Sequence, residues 1–221
     1  DYDTLDPTDP TGSNADDDTA GFTFSATSGL NTDEGGATAG FTLALNSTPT
    51  HDVTITVVSS DPTEASVSVA SLVFTPANGV NPLPVTVTGV DDIIDDGDQD
   101  TTVTISVDDD NSDNTFDGLA DQTVTATTTD DDTAGFTLST TSVSVAESGT
   151  TAQFTVVLDS EPEGNVVIIA HLADPADQDE AQVGGPLTFT SSNWATPQAF
   201  TITGVDDSIA DGEQQTIFTV E

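Results

Sequence analysis

The sequence predicts an all-β chain built as tandem, seven-stranded antiparallel β-sandwich domains. Three observations predict it. Short runs alternate apolar and small polar residues with period two, which places one strand face in a core and the other in water. No long segment repeats its apolar residues at the helical period, so helix content is expected near zero. A block the size of a domain occurs twice.

The strands follow in order. In the first copy, Phe41-Thr42-Leu43-Ala44-Leu45, Val53-Thr54-Ile55-Thr56-Val57, Val85-Thr86-Val87-Thr88 and Val103-Thr104-Ile105-Ser106-Val107 all alternate. They are rich in β-branched residues, and Gly, Pro, Asn and Asp separate them. About seven such strands in about 110 residues, each with one face to bury, indicate two antiparallel sheets packed face to face.

The repeat is explicit. Asp16-Asp17-Asp18-Thr19-Ala20-Gly21-Phe22 returns unchanged as Asp130-Asp131-Asp132-Thr133-Ala134-Gly135-Phe136, and Thr88-Gly89-Val90-Asp91-Asp92 as Thr203-Gly204-Val205-Asp206-Asp207. Between these anchors, Ala39–Thr42 matches residues 152–155, Ser60-Asp61-Pro62 matches Ala173-Asp174-Pro175, and Leu72–Pro76 matches residues 187–191. A period of roughly 115 residues is that of a domain, not of a solenoid unit.

Composition narrows the function. Forty Asp and Glu stand against no Lys and no Arg, a formal net charge of −40. Such a body repels itself unless counter-charge comes from solution. Nucleic acid is excluded as a partner, because binding phosphate needs basic side chains. Direct docking on anionic membranes is excluded for the same reason. Leu, Ile, Val and Phe make up about a quarter of the chain, enough for a core. With no cysteine there is no disulfide framework, and no apolar run approaches the length of a membrane helix. Asn46-Ser47-Thr48 fits the glycosylation pattern, a motif short enough to arise by chance.

The termini do not coincide with the repeat. Residues 1–18 align on 115–132, with Tyr2 on Phe116, Asp3 on Asp117 and Leu5 on Leu119. Residues 216–220 align on 101–105. The expected organisation is a closing segment over 1–18, a first sandwich over 19–132, and a second over 133–221 without its last strand. Two arrangements fit: flanking repeats of a longer chain, or copies of the chain joined head to tail, the N-terminal segment of one completing the second sandwich of the next by strand donation.

Carboxylates recur at matched positions. The first copy has Glu34, Asp61, Asp91, Asp92, Asp96, Asp130, Asp131 and Asp132; the second has Glu147, Asp174, Asp206, Asp207 and Asp211, and its closing triplet would be a segment like Asp16-Asp17-Asp18. Loops following alternate strands of a sandwich gather at one end. Carboxylates gathered there cannot all remain ionised without cations. Oxygen ligands on flexible loops suit Ca²⁺; zinc would recruit His or Cys, and only His51 and His171 exist, each expected at a strand-end surface. Asp108, Asp109, Asp110, Asp113, Asp177 and Asp179 are read as merely solubilising their loops.

A Glu before the second strand, an Asp-Asp pair in a Gly-Val-Asp-Asp-x-x-x-Asp-Gly loop and a closing Asp triplet together resemble the Calx-β repeat. The resemblance covers nearly the whole chain. It implies an immunoglobulin-like sandwich with several Ca²⁺ ions clustered at one tip, held by the residues named above, with backbone carbonyls from Ile94 and Ile209. The chain departs from the family where a later Glu of the Asp-Asp loop falls on Gln99 and Gln214, which lowers the ion count or passes the role to Asp98 and Glu213.

The closing triplet is also the linker to the next domain, so calcium there would stiffen the junction. The expected function is a calcium-stabilised extracellular rod or fibre for cell-surface adhesion or a biofilm matrix; the alternative is a calcium-sensing regulatory module. No catalytic motif is present, and one Trp and one Tyr leave little surface for stacking on sugars.

Overall fold

A computed structural model describes residues 11–209 and 212–221. Tyr2, Asp3 and Leu5 of the N-terminal segment, and the expected ligand Asp211, lie outside the described residues. By packing, the chain divides into two compact units. One takes the residues up to Thr32 together with Thr38–Thr88 and Asp100–Thr127; the other takes Asp33–Ala37, Gly89–Gln99 and Thr128–Glu221. Glu34, the loop carrying Asp91, Asp92 and Asp96, and the Asp130-Asp131-Asp132 triplet therefore fall in the second unit, while Asp61 belongs to the first.

The first copy carries β1 (Phe22–Phe24), β2 (Leu30–Asp33), β3 (Thr38–Leu45), β4 (Val53–Ser59), β5 (Ala65–Val67), β6 (Ser71–Phe74), β7 (Leu83–Gly89), β8 (Gln99–Val107) and β9 (Gln122–Thr129). One sheet has the order β1-β3-β7-β5, the other β2-β9-β8-β4-β6. The described pairings are antiparallel, with Phe41 opposite Val85 and Val57 opposite Ile105. Nine strands stand where about seven were expected. β1 and β2 pair into different sheets, with Gly29 at φ 74° just before β2, a conformation that Gly adopts without the Cβ clash.

Alternation in the sequence becomes alternation in burial. In β4, Val53, Ile55 and Val57 are buried while Thr54 and Thr56 are half-buried. Phe41, Leu43 and Val85 from one sheet meet Val53, Ile55, Phe74, Val103, Ile105, Val124 and Ala126 from the other in one core. Each large apolar side chain fully buried there contributes about 1.5–3 kcal/mol.

The second copy carries β10 (Phe136–Leu138), β11 (Thr151–Leu158), β12 (Val166–Ile168), β13 (Ala170–Leu172), β14 (Ala181–Val183), β15 (Leu187–Phe189), β16 (Gln198–Gly204) and β17 (Phe218–Val220). β10-β11-β16-β14 form one sheet, and β12 pairs β15 while β13 pairs β17. Its core gathers Phe154, Val156, Ile168, Phe189, Phe200 and Ile202, with Trp194 packed against it. The two short helical turns, Asp109–Asn111 and Pro175–Asp179, are of the 3-10 type, and no α-helix occurs among the described residues. No described helix is long and apolar enough to cross a membrane.

The repeated Asp-Thr-Ala-Gly-Phe motif has a packing reason. A Cβ on Gly21 would stand 2.6 Å from Nδ2 of Asn46, and one on Gly135 2.6 Å from Oδ2 of Asp159. The space lets Asn46 accept from the Thr23 hydroxyl at 2.5 Å, and Asp159 from Thr137 at 2.9 Å.

Candidate metal centre

Three loops of the first copy carry the acids, and their backbones are tied before any side chain is considered. The turn after β2 closes through Gly36 at φ 88°, whose N–H donates to the Asp33 carbonyl at 3.1 Å. Ala37 N–H donates to Oδ1 of Asp33 at 2.8 Å, and Glu34 N–H to the Thr129 carbonyl at 3.1 Å. The loop after β7 passes so close to this turn that a Cβ on Gly89 would lie 2.0 Å from the Asp33 carbonyl oxygen. Farther along that loop, Ile94 N–H donates to Oδ1 of Asp92 at 2.7 Å.

The segment after β9 completes the arrangement. Oδ2 of Asp130 accepts from Gly97 N–H at 2.7 Å, and its Oδ1 from Asp132 N–H at 2.8 Å. Asp131 N–H donates to Oε2 of Glu34 at 3.4 Å. The outcome is that Glu34, Asp92 and Asp132 each bring one carboxylate oxygen within 4.8 Å of the others.

Electrostatics makes this a high-energy arrangement without a cation. Glu34 is 2 % exposed. Burial pushes its carboxyl up to about 7, assisted by the charges of Asp130, Asp92 and Asp131 and opposed by the Asp131 N–H. Burial, followed by the charges of Asp131, Asp130, Asp92 and Asp91, raises Asp132 as well. Asp130 moves the other way, held below its ordinary range by the N–H groups of Asp132 and Gly97. One oxygen of Asp132 is buried and has no hydrogen-bond donor. No Lys or Arg exists to neutralise the group. An oxygen-only donor set on loops fits a hard divalent cation such as Ca²⁺, and the absence of His and Cys from it disfavours zinc.

The remaining expected residues are not members of that trio. Asp61 is exposed, and its carboxylate is taken by the hydroxyl and N–H of Thr63, at 2.5 and 3.0 Å, which lower its pKa. Asp91, Asp96 and Asp131 are exposed, and Asp96 brings a carboxylate oxygen within 4.8 Å of one of Asp92. Asp16, Asp17 and Asp18 are also exposed, although Asp18 N–H donates to Asp16 as Asp132 does to Asp130.

The second copy repeats the frame with a different donor set. Gly149 at φ 80° closes the turn before β11, a Cβ on Gly204 would lie 2.2 Å from the Ala146 carbonyl oxygen, and Ile209 N–H donates to Asp207 at 2.7 Å. Glu147, the counterpart of Glu34, is only half-buried, and Asp174 and Asp206 are exposed. Asp207 instead gathers with Asp179 and Glu180, and one of its oxygens is buried without a hydrogen-bond partner.

Three residues depart from the sequence reading. Asp179, read as a solubilising acid, joins the Asp207 group on the 3-10 turn Pro175–Asp179. Glu180 was missed, although a recurrence marked it: Glu180 immediately precedes β14 as Glu64 immediately precedes β5. Asp113, also read as solubilising, is 5 % exposed. Its Oδ2 accepts from Thr50 N–H at 2.6 Å, the Thr50 hydroxyl at 2.7 Å and His51 N–H at 3.0 Å, and its Oδ1 from Thr115 N–H at 3.0 Å. It is a structural clamp for its loop.

No family model matches the chain, and no curated protein matches it. Among solved structures, the chain is similar to CBD12 from CALX1.2, at 14 % identity over 90 % of this chain and 79 % of that one, TM-score 0.35. It is also similar to the calcium binding domain CBD12 of CALX1.1, at 16 % identity over 84 % and 76 %, TM-score 0.34. The E. coli chaperone DraB matches at 5 % identity over 82 % and 86 %, TM-score 0.37.

Proposed function

We propose that the chain is a calcium-binding repeat protein of the Calx-β type, with ions held on the acidic loops of each copy and a structural rather than catalytic role. The observation that supports this most is the Glu34–Asp92–Asp132 group. A buried carboxylate, two neighbouring carboxylates and an unpartnered buried oxygen converge in a chain with no basic side chain. Only a cation from solution relieves that arrangement with all three acids ionised.

In this reading calcium ties the loops after β2, β7 and β9 together and stiffens the link into the next strand. The chain then acts as a segment of an extracellular rod or fibre, in adhesion or a surface matrix, and continues head to tail into further copies or repeats. Isothermal calorimetry with calcium, magnesium and zinc, paired with melting curves in calcium and in chelator, tests it. Calcium-selective binding with a melting temperature raised by 10 °C or more, on the order expected when a ligand binds only the folded state, is the expected result. A melting curve indifferent to chelator would refute it.

A further inference from the structure

The loop after β7 divides its residues between two tasks. Val90, Asp91, Asp92, Ile94, Asp96 and Gly97 recur in the second copy as Val205, Asp206, Asp207, Ile209, Asp211 and Gly212, whereas Ile93 and Asp95 stand where the second copy has Ser208 and Ala210. The recurring residues include the candidate ligands. The two that do not recur each accept a hydrogen bond from a residue that flanks a strand of the second copy. Oδ2 of Asp95 accepts from Ala134 N–H at 2.6 Å, just before β10. The Ile93 carbonyl accepts from Glu161 N–H at 2.7 Å, just after β11. The carboxyl of Asp95 also lies against that of Asp130, which neighbours the group formed by Glu34, Asp92 and Asp132.

We propose that Asp95 is not a cation ligand but a latch, which holds the Ala134 amide only while a cation neutralises the carboxylates beside it. The proposal rests on the calcium reading of that group. Asp95 is exposed. With no ion present, the charges of Asp130 and its neighbours repel it, and rotation into water relieves the repulsion at the cost of one hydrogen bond. With a cation bound the repulsion is cancelled, and the strong charge-assisted bond to Ala134 N–H persists. Occupancy of the acidic loop is thereby read out at the first strand of the second copy.

The test is amide hydrogen exchange at Ala134 and Glu161, in calcium and in chelator, with calcium calorimetry on the same samples. Wild type, Asp95→Asn and Asp95→Ala are compared, and slow exchange at Val103 and Ile105 confirms that each variant is folded. In wild type, calcium slows exchange at Ala134 by roughly tenfold or more. Asp95→Asn keeps an acceptor oxygen without the charge, so Ala134 is protected in both conditions. Asp95→Ala leaves it unprotected in both, while calcium affinity stays within about threefold of wild type. Calcium-dependent protection that survives in Asp95→Ala overturns the latch. So does a loss of affinity beyond about tenfold in that variant, which makes Asp95 a ligand. If wild type binds calcium and Ala134 does not respond, the latch alone falls. If wild type binds none, the calcium reading falls and takes the latch with it.

Discussion

The α-carbon of Gly89 rests against the carbonyl of Asp33, so closely that an added Cβ would stand 2.0 Å from the oxygen. The contact sets two acidic loops at a fixed distance, the one bearing Glu34 and the one bearing Asp92. Gly204 and Ala146 repeat it at 2.2 Å. The glycine of the Thr-Gly-Val-Asp-Asp motif is there for close approach, since neither backbone can yield easily. Gly89→Ala is expected to force the turns apart, lower the melting temperature in chelator by several degrees, and weaken calcium binding by tenfold or more. Calorimetry reads both. Unchanged affinity would mean the ion does not bridge these loops.

Glu34→Gln separates a stability residue from a ligand. In chelator at pH 8 the variant no longer has to ionise a carboxyl buried beside other carboxylates, so it should melt at or above the wild-type temperature. In saturating calcium the order reverses, because an amide oxygen carries no charge to offer the ion. Melting curves in the two buffers decide it; a variant less stable than wild type in both would mark Glu34 as structural only.

The raised pKa of Glu34 fixes the sign of a pH dependence. Between its ordinary value of 4.5 and about 7, the ion-free folded chain keeps a proton that the unfolded chain releases. Ion-free stability therefore falls as pH rises through that window, and the full penalty stands above it. Calcium binding runs the opposite way, because the ion displaces the proton: affinity climbs with pH and levels off above about 7. Melting in chelator from pH 5 to 8, wild type against Glu34→Gln, checks the first statement. Calcium titrations over the same range check the second. A slope shared by both proteins would assign it to other groups.

The second donor set predicts its own variant. Glu180→Gln or Asp179→Asn should remove one class of calcium site, leave binding at the Glu34 group within about twofold, and change stoichiometry in calorimetry. Undiminished stoichiometry in the double variant would show that the Asp207 group holds no ion.

The fold was largely legible because period-two alternation reports burial directly. Val53, Ile55 and Val57 were expected inward, and all three are buried. The assignment of β1 and β2 to different sheets was not legible, since it depends on which strands each pairs with. Within the site, recurrence picked out Glu34, Asp92 and Asp207 because the loops that carry them share one backbone frame. It failed at Glu180, where four residues follow Pro175 before the Glu while only Thr63 separates Pro62 from Glu64. The longer loop shifts the alignment, and the Asp-Pro pair drew attention to Asp61 and Asp174 instead. Asp113 was missed for another reason. Its donors on Thr50 and His51 are distant in sequence, and an acidic side chain in an acidic loop carries no mark of its burial.

Asp113 gives the last prediction, independent of any metal. Hydrogen bonds from Thr115 N–H, then from the Thr50 hydroxyl and neighbouring donors, hold its carboxyl well below the ordinary 3.8. A depressed folded-state value contributes stability that is fully present above the unfolded value and is lost as pH falls through the folded one. At pH 7, Asp113→Asn should lower the melting temperature of the first sandwich by roughly 10 °C, because an amide presents N–H to backbone donors already pointing at it. The gap to wild type should narrow as pH falls below the ordinary 3.8, where unfolding begins to take up a proton that the folded carboxylate refuses. Asp110→Ala, on the same loop and exposed, should melt like wild type throughout. An Asp113→Asn variant that melts like wild type at pH 7 would mean that the four bonds to Asp113 do not clamp the loop.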